Sequence, residues 1–297
     1  MSNQMITSFL TTIAQSLRTL NPSDVRKLAE REVNIGLTAA TEDGLNRMWD
    51  FLAPAQLSER KKDQLVRLVH PLGPRLPGMP PRPAQVDLEI WEEGLAKPPH
   101  AFTFYRRDPA RTVQEILDRH DELSLPLARQ FVVFRKAVSE KIVNAVSQEN
   151  ALFSIATSLP NIVPNLLSLP FAVGEFASDT AFITANQLRM AFLLAGANDR
   201  PIGYREQKAQ VASVIAGAFG WRSLARQLIS KLPFGAGVAS KATVAYAGTW
   251  IVGQGLQKLY GMGGQLSRQE RETLYGEGLA KGKTVVTALV ARLRKTA

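Results

Sequence analysis

Residues 150–174, NALFSIATSLPNIVPNLLSLPFAVG, contain no charged side chain. About 20 apolar residues cross a hydrocarbon core, so a run of this length must either be buried in protein or meet lipid. Pro160, Pro164 and Pro170 interrupt it, as do Asn150, Asn161 and Asn165, and a proline inside a helix removes a backbone bond and kinks it. A second uncharged run, 242–257, is only 16 residues long and follows Lys241. Neither is a clean transmembrane helix. A kinked apolar hairpin dipping into one leaflet and a helical bundle with an apolar face both fit.

Behind the first run the chain resumes a helical pattern over 171–196, into which polar groups are set. Glu175, Asp179 and Asn186 share one side, at offsets of four and seven, and Gln187 and Arg189 lie beside them. Polar groups inside an apolar helix need partners, so these five residues are expected to form a buried polar cluster. Asp179 is expected to be paired with Arg189, Arg222, Arg226 or Lys231. The Glu-x-x-His element of helical carboxylate metal sites is missing, and no metal is expected.

Charge separates the two halves. Residues 1–150 hold 20 Lys/Arg against 19 Asp/Glu, and residues 151–297 hold 16 against 7. The basic excess therefore lies in the apolar half, a combination that suits an anionic lipid surface. Nucleic acid is the competing partner of a basic face, but the interleaved aromatic and basic residues of a single-strand binder are lacking. With no cysteine, disulfides and thiolate metal sites are excluded.

The first half reads as small α/β structure. Residues 4–20 have helical periodicity with a Ser/Thr-rich polar face and no basic leader, giving an amphipathic N-terminal helix rather than a signal peptide. Strands are expected at Val33–Leu37, Val86–Trp91 and Ala101–Tyr105, with helices between them and a charged helix over Leu57–Val69. Residues 71–84, rich in proline, read as a loop. The first strand, loop and helix follow the order of a P-loop. Aligned on G-x-x-x-x-G-K-[ST], the loop reads Ala39-Ala40-Thr41-Glu42-Asp43-Gly44-Leu45-Asn46. Leu45 stands where the phosphate-binding Lys belongs, and Asn46 stands where a Mg²⁺-holding Ser/Thr belongs. The loop is expected to bind no triphosphate. The alternative is a nucleotide-binding, GTPase-like protein with a non-standard phosphate loop.

Two patterns remain in the second half. Gly235, Ala239, Thr243 and Ala247 recur every four residues, a ladder of small side chains that allows another helix close approach. The final segment sets Val285, Val286, Leu289, Val290 and Leu293 against Lys281, Lys283, Arg292, Arg294 and Lys295, a basic amphipathic tail of the kind that lies on membranes.

Residues 141–260 also resemble the YcjF-type membrane-associated domain, a domain of unknown function often found behind small GTPase-like domains. The resemblance is carried by Asn150, Ala156, Leu159-Pro160, Pro164, Asp179, Gln187-x-x-Met190, Arg226, Lys231-x-Pro233-x-Gly235-x-Gly237, Thr249, Gly253 and Tyr260. It implies membrane association without catalytic residues, and a decayed GTPase-like neighbour upstream. The expected architecture is mainly α. An amphipathic helix (1–22) precedes a small degenerate α/β domain (23–135) and a helical membrane-associated domain (136–297). The expected function is a non-catalytic scaffold at the cytoplasmic face of a membrane. Its partners would be anionic lipid, a protein or a second copy, with no cofactor.

Overall fold

The computed structural model describes residues 21–72, 85–158, 179–213 and 237–296. These fall into two compact units: 26–139 with 196–200, and the remainder. The chain is mainly helical, with one small parallel sheet.

The first unit takes in the second half of α1 (Pro22–Ala29), then β1 (Ile35–Thr38), α2 (Glu42–Leu52), α3 (Glu59–Val66) and β2 (Val69–Pro71). It continues with β3 (Leu88–Glu92), β4 (Phe102–Phe104), α4 (Pro109–Arg119) and α5 (Ser124–Gln130). The strands lie in the order β2-β1-β3-β4, all parallel. Ile35 pairs with Leu88, Leu37 with Ile90, and Ile90 in turn with Phe102. Paired residues share a face, and all five of these are buried, so one side of the sheet is continuous core.

Side-chain caps start α2, α3 and α4. Thr41 accepts the Gly44 N–H at 3.0 Å, Ser58 accepts that of Lys61, and Asp108 accepts that of Arg111 ahead of Pro109 at the first helical position. Such caps satisfy N–H groups that have no partner within the helix. The sheet has four strands where three are expected. Val69–Pro71 forms the edge strand β2, so the charged helix stops at Val66 rather than reaching Val69. A parallel partner supplies the backbone bonds that three residues cannot supply alone. Apolar residues recur at helical spacing from Leu125 to Leu159 as if in one helix, but the helix is broken at Phe131, which is extended (φ −114°, ψ 115°) and fully buried.

The second unit contains most of α6 (Val132–Ser158), then α7 (Asp179–Ala197), α8 (Val238–Met262) and α9 (Arg268–Thr296). The Phe153 and Phe182 rings stack at 3.8 Å and 5°, and three residues earlier on α6 Asn150 meets Asn186, so α6 and α7 run antiparallel. A Cβ on Gly253 of α8 would strike Val143 of α6, while Asn150 reaches Thr249, which makes that pair antiparallel too. The turn from α8 to α9 starts at Gly263, left-handed at φ 72°, a conformation that glycine adopts without penalty. Ser267 and Glu270 form a reciprocal cap on α9: the Glu270 N–H donates to Ser267 Oγ and the Ser267 N–H to Glu270 Oε2. The motif satisfies two otherwise orphaned donors at once.

α9 packs on α8 through its glycines. A Cβ on Gly282 would lie 3.0 Å from the Thr243 carbonyl, and one on Gly278 3.1 Å from the Trp250 ring. Thr243 and Ala247, two rungs of the small-residue ladder, thus receive the backbone of α9. Ala239 is exposed, and Gly235 lies outside the described residues. So do residues 1–20 and, of the expected hairpin, residues 159–174 and 232–236; the second uncharged run, 242–257, lies within α8. No helix among the described residues is long and apolar enough to cross a membrane.

Candidate functional site

Open parallel sheets bind ligands beyond the carboxyl ends of their strands, where the strand order reverses. Here that place lies between β1 and β3. Glu92, the last residue of β3, occupies it: its carboxylate accepts the Ala40 N–H at 2.9 Å. A Cβ on Gly44 would come within 2.5 Å of both Glu92 oxygens. The glycine therefore leaves room for a carboxylate from the same chain at the start of α2. Glu42 and Asp43 add negative charge in the first turn, which favours the helix dipole. Leu45 is half-buried and Asn46 is exposed. Glu92 is not identifiable from the loop pattern, because it comes from a strand 52 residues beyond Ala40. His70, on β2, is buried and lies 3.0 Å from Asn34 Oδ1, and burial holds its pKa below the usual histidine value. His100 lies 3.6 Å from Glu89, and His120 lies 2.9 Å from Glu122.

A polar network joins α6, α7 and α8. The Asn186 amide donates to Glu149 Oε2 at 3.0 Å and to Asn150 Oδ1 at 2.9 Å. Asn150 Nδ2 donates to Thr249 Oγ1, which also accepts from Gln187 Nε2 at 3.3 Å and donates to the Ala245 carbonyl at 2.9 Å. Arg189 donates to Asn186 Oδ1 and pairs with Glu149. Three of the five residues expected to cluster, Asn186, Gln187 and Arg189, thus meet in this network. Glu175 and the Asp179 side chain lie outside the described residues, as do Arg222, Arg226 and Lys231. The carboxylate opposite Arg189 is Glu149, one helix away; Glu149 carries no mark in the sequence, and Thr249 stands out there only among the residues that carry the YcjF-type resemblance. Carried across three helices, the network fixes their register.

On α9, Lys281, Lys283 and Arg292 are exposed. The Lys281 ammonium lies 4.7 Å from the Trp250 ring centroid, within reach of the attraction between a cation and an aromatic face. Val285, Leu289, Val290 and Leu293 are half-buried and Val286 is buried. The side chains of Arg294 and Lys295 lie outside the described residues. Among the described residues no group of His, Asp or Glu is arranged to hold a metal ion. The chain matches no protein-family model, no curated protein and no solved structure.

Proposed function

We propose that the protein is a non-catalytic scaffold that attaches to an anionic membrane surface through the end of α9. The observation that carries this reading is the make-up of that helix after Glu277. It has five cations, Lys281, Lys283, Arg292, Arg294 and Lys295, and no carboxylate. Beside them four half-buried apolar side chains continue along the helix. Each Lys or Arg near an anionic surface contributes about 1 kcal/mol of attraction, and the apolar residues add burial at the acyl boundary. The resemblance of residues 141–260 to the YcjF-type domain points the same way. The non-catalytic part rests on the α2 loop. A carboxylate already lies against Ala40 and Gly44, and Leu45 brings no charge to meet a phosphate.

Sedimentation of the full chain with vesicles tests the reading. The protein is expected to pellet with vesicles containing phosphatidylserine and to remain in the supernatant with neutral ones. Serine at all five cationic positions should release it. Equal recovery in the supernatant with both vesicle types overturns the proposal.

A further inference from the structure

In the first unit, three cations from three helices converge on one carboxylate. Asp199 Oδ2 takes the Lys61 ammonium at 2.7 Å. The Arg129 and Arg135 guanidiniums come only to 3.7 and 3.8 Å of the same carboxylate, beyond the roughly 3.2 Å reach of an N–H···O bond. Glu30 is equally far from Arg129, at 3.7 Å. Lys61 and Arg135 also share the Arg129 carbonyl, at 3.3 and 3.5 Å. The cations are mostly covered, with side chains 15%, 17% and 26% exposed, whereas Asp199 is 35% exposed and forms the open side of the cluster. Burial pushes the Arg135 pKa down while Asp199 holds it up, and neighbouring Arg200 and Arg129 oppose it. The cluster therefore holds more positive than negative charge, and two planar donors lack a hydrogen-bonded anion.

The guanidiniums donate instead to carbonyls, Arg129 Nη1 to that of Arg200 at 3.1 Å and Arg135 Nε to that of Ala128 at 3.2 Å, and the backbone explains why Asp199 does not reach them. It follows the end of α7 in the left-handed region, at φ 55°, with its N–H returned to the Gly196 carbonyl. That is the position where glycine or asparagine usually ends a helix. A carboxylate pinned there offers two oxygens to three cations. A tetrahedral oxyanion offers four and matches guanidinium donors well.

We propose that Lys61, Arg129 and Arg135 form a binding site for a phosphate-bearing anion, with Asp199 as the resident carboxylate that such a ligand displaces. Entry requires only that the Asp199 side chain turn towards solvent. The phosphate could be a free small molecule or a lipid headgroup, and the chemistry of the site is the same for both. The site is independent of α9 and of the attachment proposed for it.

Titration calorimetry with pyrophosphate on the full chain tests this directly. The wild type should bind, and Asp199→Asn should bind at least about 10-fold tighter, since it removes the competing charge and keeps a residue that tolerates φ 55°. Lys61→Gln and Arg129→Gln, each placed in the Asp199→Asn chain, should lose that gain. Either variant suffices if the other fails to fold by circular dichroism. Vesicles bearing phosphatidic acid, offered to a chain in which the five α9 cations are serine, form the second arm. Pelleting lost on Lys61→Gln would identify the lipid phosphomonoester as the source, and pyrophosphate binding alone would identify a soluble one. If Asp199→Asn binds pyrophosphate no tighter than wild type and Lys61→Gln leaves pelleting unchanged, the site does not exist. With the α9 cations removed, their attachment to anionic vesicles can neither mask the site nor imitate it.

Discussion

Asn150 and Thr249, 99 residues apart and both fully buried, are joined by a side-chain hydrogen bond of 2.7 Å. Thr249→Val keeps the shape of the side chain and removes the acceptor used by both Asn150 and Gln187. Each buried donor left unsatisfied costs about 1–3 kcal/mol. The variant should lose stability in that range, read as a lower urea midpoint. An unchanged midpoint would mean that water reaches the network.

The glycines of α9 should separate by neighbour. Gly282→Ala pushes a methyl to 3.0 Å from a backbone carbonyl on α8, and overpacking of this kind costs about 1–3 kcal/mol. Gly276 is exposed with open space around it, and alanine there should stabilise by about 0.5–1 kcal/mol through helix propensity. Thermal melts of the two variants should shift in opposite directions.

At the strand ends, Gly44→Ala places its methyl against the Glu92 carboxylate and should break the bond to the Ala40 N–H, at a cost of about 0.5–1.5 kcal/mol. In a Glu92→Ala background the same substitution should cost nothing, because the obstacle is gone. A double-mutant cycle measures the difference, and additive effects would show that Glu92 does not fill the loop.

Glu270 is held near pKa 2, first by the Lys258 ammonium and then by the Ser267 cap, against an ordinary value of 4.5. Because the folded-state value is the lower one, its contribution is complete above pH 4.5. It declines as pH falls below that value and is lost once pH passes about 2. Glu270→Gln should therefore lower stability at pH 6 and flatten its fall between pH 4.5 and 2. Urea melts across that range are the check.

The sequence revealed elements where periodicity ran long and lost them where backbone geometry depends on distant partners. Leu88 and Ile90 alternate with charged neighbours, and their strand is legible on that ground. Val69-His70-Pro71 has no alternation to read, since three residues behind a charged helix gain strand geometry only from β1. Phe131 breaks a helix without any proline or glycine to announce it. In the polar core, Asn186, Gln187 and Arg189 stand out because they interrupt an apolar helix, whereas Glu149 is an ordinary charged residue until α7 lies beside it. Asp199 had a readable sign: an acid directly behind a helix end, where glycine is the usual residue.

The turn over residues 263–267 joins α8 to α9 almost at once, whereas the Asn150–Thr249 bond closes a loop of about 100 residues. Loop closure is an entropic barrier that grows with length, so the two glycine-lined helices are expected to zip together before α6 finds its place against them. The order of assembly then has a kinetic signature. Gly282→Ala, which disturbs the early pair, should slow refolding, while Thr249→Val should leave refolding nearly unchanged and speed unfolding. Stopped-flow chevrons of the two variants distinguish this order from its reverse, in which the long-range polar contacts guide the chain from the start.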